Sequence, residues 1–142
     1  MKVRINRVDD AFHFEASGAS GVSVHIDGSS ESGGHDLGAR PMELLLMGLG
    51  GCSAFDVVSI LKKQRQPLKD IRIEVMGDRA TNQTPSVFTK IHMHFRLFGE
   101  LDAAKVKKAI TLSVEKYCSA HAMLEKAAEI THSFEIHETV TA

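Results

Sequence analysis

Apolar and polar positions alternate in short runs across the first quarter of the chain. Val3, Ile5 and Val8 mark residues 2–8, Phe12, Phe14 and Ala16 mark 11–16, and Val22, Val24 and Ile26 mark 21–26. A period of two is the signature of strands with one covered face, and Asp9, Asp10 and the small residues of 17–21 supply the turns between them. The three runs predict a small antiparallel meander. Residues 27–38, polar and rich in Gly and Ser, predict a mobile loop. The pattern then changes. From Pro41 to about residue 64 the chain is almost wholly apolar and reads as one helix, with proline at a first-turn position where its missing N–H costs nothing. Pro67 ends it. Ile71, Ile73 and Val75 restore a period of two over 70–76, and 78–86 form a turn or hairpin loop. Over 87–98, Ile91, Met93, Phe95 and Leu97 alternate with Lys90, His92, His94 and Arg96, the pattern of a long half-buried strand. Asp102 is placed to cap a helix over 103–116, Ser119 a second helical piece over 119–128. A closing strand over 130–137 sets Ile130, His132, Phe134 and Ile136 against Thr131, Ser133, Glu135 and His137. The order β-β-β-α-β-β-α-α-β is an α+β arrangement with mostly antiparallel sheets, expected as one domain of 142 residues.

A helix apolar on nearly all sides has to be covered on most of them. Residues 41–61 are also long and apolar enough for a membrane span. Glu43, Asp56, Gly48, Gly50 and Gly51 lie inside that stretch, strands flank it and no second span follows, so a core helix is the expectation. Charge changes this picture little. A net charge of −1 offers no global field for nucleic acid or an anionic membrane, and the absence of Trp removes an obvious stacking platform. Lys62, Lys63 and Arg65 fall where they complement a helix C-terminus. The first residues alternate and carry charges, unlike a signal peptide, which points to a cytoplasmic chain with reduced thiols.

The chemistry concentrates on two cysteines. Cys52 lies inside the apolar helix and Cys118 in the second helical region. Two are too few for a disulfide framework or a usual metal scaffold. They suit a redox pair, in which the first thiol reacts and the second resolves the product. The plain alternative is that each is a small core residue, since free Cys is commonly buried.

The segment PMELLLMGLGGCSAFDVV, then a strand hairpin and EKYCSAHAMLEKAAEITHSFEI, closely resembles the OsmC/Ohr family over essentially the whole chain, and within it the YhfA-type OsmC-like branch. The specific parts are Pro41 with Glu43, Leu44, Leu45 and Leu46, the run Gly50, Gly51 and Cys52, and Cys118 after Glu115, Lys116 and Tyr117. That resemblance implies an intertwined homodimer, with antiparallel sheets from both subunits wrapped around long central helices. It implies thiol-dependent reduction of organic hydroperoxides, with Cys52 peroxidatic, Cys118 resolving and an external dithiol as reductant. Peroxidases of the family place a Glu ten residues before the reactive cysteine, which is Met42 here. Glu43 fits the broader OsmC-like motif. They also carry an N-terminal Arg, for which Arg40 is the nearest candidate, ahead of Arg4 and Arg7.

No cofactor and no resident metal are expected. Two competing readings remain open. One is a non-enzymatic protein holding a small apolar ligand at its dimer interface. The other is a metal site using Cys118, His121 or the pair His92 and His94, although His121 reads as a partly exposed helix residue and the pair as part of a solvated sheet face. Asp56, four residues after Cys52, would raise the thiol's pKa if left free beside it. It is expected to be paired elsewhere or to bond across the dimer.

Overall fold

The computed structural model describes residues 1–141. The chain forms two compact units, Met1–Leu45 and the remainder from Leu46 onward. In the first, β1 (Arg4–Arg7), β2 (Phe14–Ser17) and β3 (Ser23–Ile26) make a sheet in sequential order with both pairings antiparallel. The meander is as the alternation predicts, except that β2 begins later. Residues 11–13 lie in a turn because Asp9 Oδ1 accepts the N–H groups of Ala11 at 2.8 Å and His13 at 3.2 Å.

The loop that follows is gathered by hydrogen bonds that its composition does not announce. Asp27, 1% exposed, accepts backbone N–H groups from Gly28 at 2.7 Å, His35 at 3.2 Å and Leu37 at 3.1 Å. Burial alone pushes its carboxyl up, but the N–H groups of Leu37, Gly28 and His35, with the charge of His13, outweigh that and hold it below the ordinary value. Ser30–Ser32 form one 3₁₀ turn capped by Ser29. At Gly34 a Cβ would stand 2.2 Å from the Gly28 carbonyl oxygen, so only glycine fits this crossing.

Helix α1 (Pro41–Lys63) opens as expected on Pro41. Glu43, the third helical residue, reaches back to accept the Arg40 N–H at 3.0 Å, satisfying a donor the helix cannot. Lys62 and Lys63 close the last turn.

In the second unit α1 packs on a sheet of β4 (Asp70–Arg79), β5 (Phe88–Phe98) and β6 (Glu129–His137), ordered β4-β5-β6. Its buried residues Leu49, Ser53, Val57 and Leu61 recur every four positions, one face of the helix. At Gly50 a Cβ would reach within 3.0 Å of Val75 Cγ2, so the glycine permits this close approach to β4. Ile91, Met93, Phe95 and Leu97 point from β5 into the same core, and Val106, Ala109 and Ile110 of α2 (Ala103–Leu112) add to it. Each of the larger of these side chains contributes about 1.5–3 kcal/mol by leaving water. The opposite side of α1 leaves Met47, Phe55 and Val58 exposed.

The expected mostly antiparallel pairing holds in three of the four strand pairs, and one helix departs from its expected length. The β5–β6 pairing is parallel, although the other three are antiparallel. A parallel neighbour needs a long crossover, and residues 99–128 provide it. The helix expected to run to residue 116 stops as α-helix at Leu112, and Ser113–Tyr117 widen into a π-turn before α3 (Ser119–Leu124). Asp102 caps α2 through the Lys105 N–H at 3.0 Å, as its position predicts.

Candidate functional site

The second unit brings the two cysteines together. A sulfur of Cys52, a sulfur of Cys118 and a carboxylate oxygen of Asp56 all lie within 4.8 Å of one another. Cys52 and Asp56 share a face of α1 because they are four residues apart. Cys118 arrives from the π-turn, whose closing bond runs from the Cys118 N–H to the Ser113 carbonyl at 2.7 Å. Such widened turns are frequent at functional sites. Here the extra residue per turn delivers both ends of the segment to α1. Ser113 Oγ donates to Asp56 Oδ2 at 3.0 Å, and the Cys118 sulfur stands beside Cys52.

Both sulfurs are free thiols, Cys52 half-buried and Cys118 3% exposed. Ser53 Oγ lies 3.5 Å from Cys118 Sγ and 3.7 Å from Met93 Sδ. Cys118, not Ser119, caps α3: its sulfur accepts the His121 N–H at 3.3 Å. Burial pushes the Cys118 thiol up. The Ser53 hydroxyl and the His121 N–H pull it down, and Cys52 pushes it up again through its hydrogen bond and charge; the balance lies above the ordinary thiol value.

Asp56 is not paired with a distant cation. Among the described residues its carboxylate enters no ion pair, and its hydrogen bond is to Ser113 of the same chain. A cavity of about 300 Å³ opens beside it, lined by Asp56, Ser59, Ile60, Lys63, Leu112 and Tyr117. Sequence reasoning weighed Asp56 but missed Ser53 and Ser113 as site residues. Ser53 follows Cys52 directly, a signal available in the chain. Ser113 depends on the π-turn and had none.

Arg40 and Glu43 belong to the first unit. The Arg40 guanidinium pairs with Asp36 and donates to the carbonyls of Gly38 at 3.0 Å and Asp27 at 3.4 Å, tying the loop to the head of α1. Arg4 lies on exposed β1, and Arg7 Nε donates to the Ala11 carbonyl at 2.9 Å. The same unit holds a cavity of about 470 Å³ bounded by Phe12, Phe14, Ile26, Arg40 and Pro41.

His92 and His94 fall elsewhere. His92 contacts Thr131 Oγ1 at 2.7 Å and Ser133 Oγ at 2.9 Å, and His94 contacts Ser133 Oγ at 2.8 Å, so both belong to the polar face of the sheet. Glu135 collects His137 at 3.1 Å, Arg96 at 3.1 Å and His94 at 3.5 Å on that face. His121, expected to be partly exposed, is buried, with Nδ1 3.7 Å from Glu125 Oε2.

A thiol pair with a carboxylate and two hydroxyls can support thiolate attack and disulfide exchange. It also offers two sulfur donors and an oxygen donor to a soft metal ion. The family model described as OsmC-like protein matches residues 33–133. Protein YhfA of Escherichia coli (strain K12) is 44% identical over 137 residues, 96% of this chain and 98% of that protein. The crystal structure of a hypothetical protein from Aquifex aeolicus VF5 is 32% identical with a TM-score of 0.80, covering 96% of this chain and 97% of that one. The organic hydroperoxide resistance protein OhrB of Bacillus subtilis shares the fold at a TM-score of 0.67 and 18% identity, covering 94% of this chain and 96% of that one.

Proposed function

Because the chain belongs to the OsmC-like protein family, we propose that it reduces organic hydroperoxides through Cys52 and Cys118, as one OsmC-like domain spanning 1–142 in an intertwined cytoplasmic homodimer. The observation that carries this reading is the meeting of two free thiols, distant in sequence, in one partly covered site. The name of the Bacillus subtilis neighbour points to the substrate class. In the proposed cycle the Cys52 thiolate attacks the distal peroxide oxygen. The O–O bond breaks, the alkoxide takes a proton and leaves as an alcohol, and Cys52 becomes a sulfenic acid. The Cys118 thiolate then attacks that sulfur and expels the hydroxyl as water, leaving a Cys52–Cys118 disulfide. An external dithiol is oxidised as it restores both thiols. No bound cofactor, nucleic acid or membrane enters the cycle.

Cys52 is the better first nucleophile because it is the more accessible of the two. Arg40 and Glu43 are the proposed charge pair that favours its thiolate, with Arg40 supplied by the other subunit. Apolar residues exposed along α1, Met47, Phe55 and Val58, suit burial against a second copy. Stopped-flow oxidation of the reduced protein by cumene hydroperoxide tests the reading. Fast consumption lost in Cys52→Ser supports it; oxidation no faster than a free thiol, or unchanged by Cys52→Ser, refutes it.

A second reading, a carrier of a small apolar ligand, is favoured by the cavity beside Phe12, Phe14 and Ile26. Native mass spectrometry of freshly purified protein tests it. A retained ligand supports it, and a clean apo mass with no uptake in a lipid and metabolite screen counts against it.

A further inference from the structure

The dithiol site has a feature that thiolate chemistry does not use. Asp56 places a carboxylate against two thiols, and no cation stands within ion-pair distance of it among the described residues. For a thiophilic cation it is a donor set. Two sulfurs and one carboxylate oxygen, all within 4.8 Å of one another, need only a small contraction to surround one ion. Ligands about 2.0–2.3 Å from a tetrahedral zinc stand about 3.5 Å from each other. Ser113 Oγ holds one carboxylate oxygen at 3.0 Å, as outer partners of metal-binding carboxylates do.

We propose that Cys52, Cys118 and Asp56 form a binding site for a thiophilic divalent cation of the zinc class. Binding converts two thiols to metal-bound thiolates, releases two protons and leaves the fourth position to water. No electrons move, so the step needs no oxidant. An occupied site withdraws both thiols from oxidation, which makes metal binding and disulfide formation mutually exclusive. The proposal does not rest on peroxide chemistry: it stands or falls on binding measured without peroxide.

The test is a titration of the reduced full-length protein with cobalt(II), followed by zinc competition. The expected result is a sulfur-to-cobalt charge-transfer band saturating at one ion per chain and displaced by zinc. Cys52→Ser and Cys118→Ser should each diminish the band. Asp56→Asn should weaken binding by about 10-fold or more while leaving the alkylation rates of both thiols as in the wild type. Wild-type protein oxidised to the Cys52–Cys118 disulfide serves as the control that needs no mutation, and it should not bind. No band in reduced wild-type protein, an affinity unchanged by Asp56→Asn, or full binding by the disulfide form would overturn the proposal. A protein that binds cobalt as described yet ignores hydroperoxide would keep this site and remove the peroxidase reading.

Discussion

The two units of the chain solve the problem of burial in opposite ways. From Leu46 onward, α1 and a three-stranded sheet enclose a core in which Leu49, Val57, Leu61, Met93, Phe95, Leu97 and Phe98 are 0% exposed. In Met1–Leu45 the buried residues are Asp27 and Gly34, neither of them apolar, and Val3, Ile5, Phe12, Val22 and Val24 stand exposed. A small sheet without a covered face is marginal by itself. The first unit is therefore organised by polar bonds around Asp27, and its apolar residues await a cover. In the proposed dimer a second copy supplies that cover.

Four experiments break or sharpen this contrast. The largest effect belongs to the core of the second unit. Phe95→Ala should lower unfolding stability by about 3–5 kcal/mol in urea titration, since it leaves a cavity in a packed interior. Next, Ile5→Lys with Val24→Lys places two charges on one face of the first sheet, where Ile5 and Val24 both align with Ala16. We expect the dimer dissociation constant to rise by about 10-fold or more in sedimentation, with little change in the far-ultraviolet signal of the second unit.

The third experiment uses pH, because the units carry titrating groups shifted in opposite senses. Asp27 is held below its ordinary value, so its contribution is whole above about pH 4 and is lost as pH falls through the folded value. Hydrogen-exchange protection factors at Leu37 and His35, taken against the intrinsic rate at each pH, should fall on acidification, and Asp27→Asn should lower them already at neutral pH. Cys118 is pushed above the ordinary thiol value. Its alkylation should be slow at neutral pH and accelerate only above about pH 8.5, and folding stability should fall as pH rises past that point. The smallest effect lies on the solvated sheet face. Glu74→Gln, which removes a partner 3.9 Å from Arg96, should change stability by less than about 0.5 kcal/mol.

Much of the fold was legible because periodicity reports which face of an element is covered. The alternation over 87–98 and the apolar run after Pro41 locate β5 and α1 directly. Strand direction leaves no such mark, so the parallel β5–β6 pairing was not readable from alternation. Nor does composition distinguish a loose Gly/Ser loop from one whose backbone is gathered by a single carboxylate, as Asp27 gathers Gly28, His35 and Leu37. Of the site, both cysteines were legible as a pair in need of each other. Their meeting depends on the π-turn at Ser113–Tyr117, a local widening without a sequence period. The same turn explains why Ser113 went unnoticed and why Asp56 found its partner within its own chain.

The central claim is that Cys52 and Cys118 act as one redox site. Peptide mapping by mass spectrometry, after reduced protein meets one equivalent of cumene hydroperoxide, tests it most directly. The account predicts an intrachain Cys52–Cys118 disulfide, with Cys52 trapped as sulfenic acid in Cys118→Ser. A Cys52 that stays reduced, or that is oxidised to sulfinic acid while Cys118 remains a free thiol, would contradict it.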